Sequence, residues 1–122
     1  MVDLLIETLE TMGCPVIRQG SLGEKEYPQH FFTFWNDDTI GGGFYDNKET
    51  RTEWEYSVNF YSDDPKEANE KLLEAKKLLI KAGFVVTGKG YDVASDEPTH
   101  TGRGMSVYYK EIRRNKNGRR KN

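Results

Sequence analysis

Apolar and polar side chains alternate almost without a break between Thr52 and Ser62. Successive residues of a β-strand point to opposite faces of a sheet, so a period of two places the large apolar side chains on one face. The other face carries mainly Glu, Ser and Asn. The segment therefore predicts a half-buried strand of an antiparallel sheet, with one face packed on the core and the other exposed to solvent. The side chains on its apolar face are Trp54, Tyr56, Val58 and Phe60.

A helix start follows this strand directly. Asp64 can accept a hydrogen bond from the free amides of a first helical turn, and Pro65 suits the first helical position, where no amide is needed. Glu67 stands where the second residue of a capping box belongs. The apolar spacing then extends to Ala82, and Gly83 is a typical helix stop. The sequence thus predicts a strand that leads straight into a capped helix.

This helix has a second apolar edge. Leu73 and Ile80 lie about 100° to one side of the stripe that faces the core. Such an edge is either additional core beneath a loop or a contact surface, and the sequence is compatible with both. The core stripe itself consists of Ala68, Leu72, Ala75, Leu79 and Ala82.

The remaining elements are shorter. Residues 2–12 have the spacing of an amphipathic helix that ends at Gly13. In the aromatic segment that begins at His30, Phe32 and Phe34 fall on one face, and Phe31, Thr33 and Trp35 fall on the other. Segments rich in β-branched or aromatic residues predict strands at 14–17, 30–36, 84–86 with 91–93, and 105–112.

Glycine and polar residues separate these strands. We expect residues 36–39 to end the aromatic strand and residues 41–50 to form a mobile loop, because the three glycines at its start have the most conformational freedom. Residues 95–104 should form a second, polar loop. Neither residues 41–43 nor residues 88–90 have the Lys and Ser/Thr register of a phosphate-binding loop, so we interpret both as turns.

The order of elements is α-β-β-β-α-β-β. Grouped strands with helices at their ends favour an α+β fold, in which two helices pack against a largely antiparallel sheet. The 122 residues are enough for one core and too few for two. We therefore expect residues 1–112 to form a single domain.

Composition excludes several classes of protein. No stretch approaches the roughly 20 apolar residues of a membrane span. Cys14 is the sole cysteine, so it has no partner for an internal disulfide. Only His30 and His100 accompany it, and neither lies near a recognisable nucleophile motif or metal-binding motif. The sequence predicts a cytoplasmic protein that is not an enzyme and that uses no metal or cofactor.

The charge of the chain is divided unevenly. Residues 113–122 contain six basic residues and no acidic residue, which leaves 12 basic and 20 acidic residues, a net charge of −8, in residues 1–112. We expect this segment to be a disordered tail. It is either a solvating end or a nonspecific nucleic-acid-binding arm, since cationic side chains neutralise phosphates. The candidate nucleic-acid-binding residues are Arg113, Arg114, Lys116, Arg119, Arg120 and Lys121.

Several strings resemble one family, the small tail-terminator or head-tail joining proteins of long-tailed bacteriophages and prophages. The resemblance spans nearly all of residues 1–112, although none of its strings is a catalytic signature. The sequence departs from the family in the triple glycine and in the basic extension after Ile112. The matching strings are the opening helix with residues 13–16, the aromatic strand after Pro28, residues 44–48, and residues 56–65 leading into the helix.

The resemblance implies a structural protein of the virion neck that is assembled in the bacterial cytoplasm. Such a protomer forms a ring, commonly a hexamer, which stops tail-tube growth or joins the tail to the head. Its expected partners are other copies of itself, the tail-tube protein and the head connector. A ring requires two different contact surfaces on each protomer. The candidate subunit-interface residues are Leu73, Ile80, Gly41, Gly42, Gly43, Phe44 and Tyr45.

Overall fold

The computed structural model describes residues 2–18, 28–42, 51–95 and 99–112. The predicted α+β class is confirmed, and the element order matches the prediction roughly, since residues 84–86 and 91–93 contribute two separate strands. Both glycines of the intervening turn, Gly88 and Gly90, have positive φ angles. The elements are α1 (Val2–Glu10), β1 (Val16–Arg18), β2 (His30–Gly42), β3 (Arg51–Ser62), α2 (Pro65–Lys81), β4 (Val85–Val86), β5 (Tyr91–Val93) and β6 (Thr101–Ile112).

The strand predicted from the alternating segment is the centre of the sheet. The strand order is β1-β2-β3-β6-β4, and β5 also pairs with β6. Each of the twelve residues of β3 has a partner in both β2 and β6. Only the β1–β2 pair is parallel among the described strands. The sheet is therefore largely antiparallel, as predicted.

Both helices contribute to one core on a single face of the sheet. The apolar stripe of α2 and two leucines of α1 pack against the apolar faces of the strands. The apolar residues of this core recur with a period of two in the strands and near 3.6 in the helices, as the sequence pattern indicates. The core includes Leu5, Leu9, Phe32, Phe34, Tyr56, Val58, Phe60, Ala68, Leu72, Ala75, Leu79, Met105 and Val107.

The predicted N-terminal cap of α2 forms, but the capping box with Glu67 does not. Asp64 Oδ1 accepts a hydrogen bond from the Lys66 amide at 3.0 Å. The Asp64 amide donates to Ser62 Oγ at 3.1 Å, in place of the expected Glu67 carboxylate. The Glu67 carboxylate lies 3.3 Å from Nδ1 of His30 instead. The buried Ser62 hydroxyl thus replaces the second half of the box.

Asp64→Ala should lower the free energy of unfolding by about 1 kcal/mol, since it leaves the first turn of α2 without its acceptor. Asp63→Ala is the matched control, because it removes the same charge from the adjacent exposed residue. Chemical denaturation of the two variants measures the difference. Equal stability of both variants would contradict a capping role for Asp64.

The prediction that residues 36–39 end the aromatic strand is wrong. β2 passes through a register shift between Asn36 and Asp38 and continues to Gly42. Side chains stabilise this bulge: Asn36 Nδ2 donates to the carbonyl oxygen of Glu55 at 3.2 Å, and Ser57 Oγ donates to Asp37 Oδ2 at 2.6 Å. The polar residues that suggested a turn therefore form a bulge, which leaves one residue unpaired without ending the strand.

The loop predicted to begin at Gly41 is also corrected. Gly41 pairs with Thr52 and Gly42 pairs with Arg51, so both glycines belong to β2. Strand pairing uses only backbone groups, so a glycine can take part in it. The backbone of β3 supplies the hydrogen-bonding partners. The other loop candidates, Gly43, Phe44 and Tyr45, lie outside the described residues.

β6 begins four residues before the predicted start at Met105. Gly102 and Gly104, which suggested a loop, are buried within the strand. A Cβ atom at Gly102 would lie 2.7 Å from Cε1 of Tyr61. One at Gly104 would lie 2.6 Å from Cγ2 of Val93. The two glycines allow neighbouring side chains to lie over the strand, which explains their presence inside it.

Candidate interaction surface

The face of the sheet opposite the helices has two unlike halves, and we call it the open face. No described helix packs on it. Its side chains come from the positions of β2, β3 and β6 that alternate with the core positions. Neighbouring residues across the three strands form rows, which include Phe31–Tyr61–Gly102, Thr33–Asn59–Gly104, Trp35–Ser57–Ser106 and Asp38–Glu55–Tyr108.

In the half near the start of β2, the side chains of the open face pack against one another. The rings of Phe31 and Tyr61 stack with their centroids 5.3 Å apart, and the His100 ring lies 6.1 Å from Phe31. Nε2 of His100 is 2.8 Å from the carbonyl oxygen of Pro28. Thr33 and Asn59 in the next row are also buried. His100 therefore contributes to packing at this end of the open face.

The other half exposes large apolar side chains. Val85 is opposite Tyr108 in the β4–β6 pair. Tyr91 is opposite Gly104 in the β5–β6 pair, so it extends the Thr33–Asn59–Gly104 row at the border between the two halves. Small side chains at Ser57 and Ser106 separate them from the indole on β2. We call this set the apolar patch, which comprises Trp35, Val85, Tyr91 and Tyr108 with exposed fractions of 50%, 58%, 46% and 38%.

An acidic groove of about 310 Å³ adjoins the apolar patch. It is formed by β2, β3, β4 and β6, and we call it the groove. Asp38 and Glu55 are opposite each other in the β2–β3 pair, and neither carboxylate has an ion-pair partner among residues that the structure describes. Its lining includes the carboxylates Asp38, Glu53 and Glu55, with Val85, Tyr108 and Lys110.

Two further charged contacts lie at the same end of the sheet. Glu53 Oε2 is 3.1 Å from Nε of Arg51, so this carboxylate is already paired. Nε1 of Trp54 donates to Glu111 Oε1 at 3.3 Å on the helix side of the sheet. The end of the sheet that carries the groove therefore has more carboxylates than cations.

The second apolar edge of α2 is divided between exposed and packed side chains. Ile80 is 49% exposed, whereas Leu73 is partly buried. Nζ of Lys76, which lies on the same side of the helix, donates to the carbonyl oxygen of Gly88 in the β4–β5 turn. This side of α2 thus borders the β4–β5 edge of the sheet, and Ile80 is its large exposed apolar residue. Residues 113–122, with the six candidate nucleic-acid-binding side chains, lie outside the described residues.

The sequence reasoning missed the apolar patch. Trp35 was assigned to the face away from Phe32 and Phe34, but its exposure was not inferred. Tyr108 lies on the same face of β6 as Ser106 and Lys110. Polar residues are expected on this face, because it is directed toward water. A large aromatic side chain on the polar phase of a strand was the available signal.

The described chemistry offers little reactivity at these surfaces. Burial raises the pKa of the Cys14 thiol, so the unreactive protonated form is favoured. Burial also raises the pKa of the Tyr56 hydroxyl, and the nearby Glu111 carboxylate raises it further. Both groups belong to the core on the helix side. Within the described ranges, no three His, Cys, Asp or Glu side chains form a metal-binding group.

Comparisons with known proteins do not identify a family. No protein-family model matches the sequence, and no curated protein is significantly similar to it.

Among the helices that the structure describes, neither is long and apolar enough to cross a membrane.

Proposed function

We propose that this chain is a non-enzymatic assembly subunit that forms a ring with copies of itself, as phage tail-completion proteins do. The observation that carries the proposal is the presence of two unlike exposed apolar surfaces on one small α+β unit. One is the apolar patch on the open face, and the other is Ile80 on α2.

The two surfaces lie on opposite sides of the sheet. α2 packs on the core face, whereas Trp35 and Tyr108 belong to the open face. A contact between unlike surfaces leaves one of each free on the pair, so further copies add until the rotation closes a ring. A two-fold dimer would instead pair one surface with itself. Head-to-tail assembly is therefore the arrangement that uses both surfaces.

Exposed apolar area supports an interface over a catalytic site. Large apolar patches rimmed by polar groups mark contacts with other proteins, and aromatic side chains supply most of the energy at such contacts. Trp35, Tyr91 and Tyr108 are of this kind, and Ser57 and Ser106 between them allow a partner to approach closely.

The tail-completion assignment adds the location and the partners. It depends on the resemblance of residues 13–16, 44–48 and 56–65 to that family, together with the α+β fold. The proposed partners are the tail-tube protein and the head connector, in the neck of a virion assembled in the bacterial cytoplasm. Phe44 and Tyr45 remain interface candidates on the resemblance, and they lie outside the described residues.

A nonspecific nucleic-acid-binding module is the second candidate. The observation that favours it is the run of six basic residues without a carboxylate after β6. A chain that binds DNA in a strongly salt-dependent way while staying monomeric would support this alternative.

Ile80→Asp should weaken self-association by about tenfold or more while leaving the fold intact, since it places a charge on an exposed apolar contact. Gln29→Glu is the matched control, because it adds the same charge at an exposed position before β2. Sedimentation velocity measures association, and docking on purified tail tubes tests the proposed location. Wild-type association and docking by Ile80→Asp would contradict the helix contact.

A further inference from the structure

We infer that the groove binds the basic segment 113–122 of a neighbouring copy of the chain. The inference rests on the proposed self-assembly and specifies one of its contacts. It assigns a role to two features that the apolar surfaces leave unexplained: the acidic groove and the basic run after β6.

The groove has an excess of negative charge that the described residues do not neutralise. Asp38 and Glu55 are directly opposite each other, an arrangement that is unfavourable for like charges on adjacent strands. Three carboxylates, those of Asp38, Glu53 and Glu55, line the groove with one cation, Lys110, and Glu53 is already paired with Arg51. An incoming guanidinium or ammonium group would relieve the repulsion between Asp38 and Glu55.

The groove also suits the apolar part of a basic side chain. Tyr108 and Val85 lie beside the carboxylates and are 38% and 58% exposed. The aliphatic stems of Arg and Lys pack along apolar surface, and a cation is attracted to an aromatic ring. The volume of about 310 Å³ is at the small end for a binding pocket. It therefore fits side chains of an extended segment and not a folded domain.

The basic segment has the complementary chemistry, and the direction of β6 favours a neighbouring copy as its source. Residues 113–122 carry six positive charges and no negative charge. β6 runs past the groove at Tyr108 and Lys110 and ends at Ile112, so the same chain would have to turn back after β6 to enter the groove. The segment of the next protomer has no such constraint. A phosphate backbone is the wrong ligand for this groove, since it would meet the carboxylates.

A charge exchange between full-length chains tests the inference. The groove-reversed chain carries Glu53→Lys and Glu55→Lys. The segment-reversed chain carries Arg113→Glu, Arg114→Glu, Arg119→Glu and Arg120→Glu, which change the net charge of residues 113–122 from +6 to −2. Each should self-associate about tenfold more weakly than wild type. An equimolar mixture should regain association, because each chain then offers a segment that fits the groove of the other. Glu7→Lys with Glu10→Lys is the matched control on exposed positions of α1 and should associate like wild type.

A peptide with the sequence of residues 113–122 separates this inference from the proposed function. It should bind the segment-reversed chain, whose groove is intact, and not the groove-reversed chain, with affinity that falls as salt rises. Peptide binding supports the groove assignment even if the wild-type chain stays monomeric. A monomeric wild-type chain would overturn only the proposed ring. Absence of peptide binding, or a mixture that fails to regain association, overturns the groove assignment even if rings form. Thermal melts that match wild type establish that both reversed chains are folded.

Discussion

Phe60→Ala should lower the free energy of unfolding by about 3–5 kcal/mol, the usual cost of removing a buried phenyl ring from a core. Phe60 is fully buried on the central strand, with its ring centroid 4.6 Å from that of Phe32. Both α2 and α1 pack on this face, so the cavity would lie where the layers meet. Denaturant titration measures the loss.

Trp35→Ala is the control for this prediction. The tryptophan removes more side-chain volume than the phenylalanine, yet it is half exposed on the open face. Its loss should cost less stability than that of Phe60, because half of its surface stays in water and its removal opens no cavity in the core. A larger loss for Trp35→Ala than for Phe60→Ala would contradict the assignment of the two faces.

Combined Trp35→Ala and Tyr108→Ala should weaken self-association by about 30-fold or more, since truncating an aromatic interface anchor typically costs about 2 kcal/mol or more. The two side chains belong to the same half of the open face, separated by Ser57 and Ser106. Their removal leaves the helix-side core untouched, so the protein should fold. Sedimentation velocity across a concentration series gives the dissociation constant.

The matched control for the double variant is Glu10→Ala with Thr11→Ala, two exposed positions at the end of α1. These truncations should leave association unchanged. A double open-face variant that associates as tightly as wild type would remove the apolar patch from the interface. Equal weakening by the control would instead indicate a general effect on solubility or fold.

Local patterns were sufficient for the elements that most strongly determine the fold. The alternation in Thr52–Ser62 predicted the central strand and its buried face, since a strict period of two has one structural interpretation. Asp64, Pro65 and Gly83 predicted the limits of α2 within a residue or two, because caps act through nearby backbone groups. The α+β class followed from these elements alone.

Features that depend on distant partners could not be read from the sequence. Asn36 and Asp37 look like turn residues until Glu55 and Ser57 are placed beside them. Gly102 is interpreted as a loop residue until Tyr61 is known to lie over it. Local patterns describe each strand singly, whereas bulges and close approaches depend on the neighbouring strand.

The candidate surfaces were predicted in part. The helical spacing singled out Leu73 and Ile80 together, but the structure separates a partly buried Leu73 from an exposed Ile80. The apolar patch combines Trp35, Tyr91 and Tyr108 from three different strands. Its existence depends on strand order, which periodicity does not give. Charge patterning identified the basic segment but not the acidic groove that we pair with it.

One measurement tests the central claim, ring formation, most directly. It is the mass of the wild-type particle, determined across a wide concentration range and combined with negative-stain imaging. The proposed head-to-tail contact between the open face and α2 predicts a closed ring of fixed copy number that grows more populated with concentration or on tail tubes. A chain that stays monomeric at every concentration and never docks on tail tubes would contradict it.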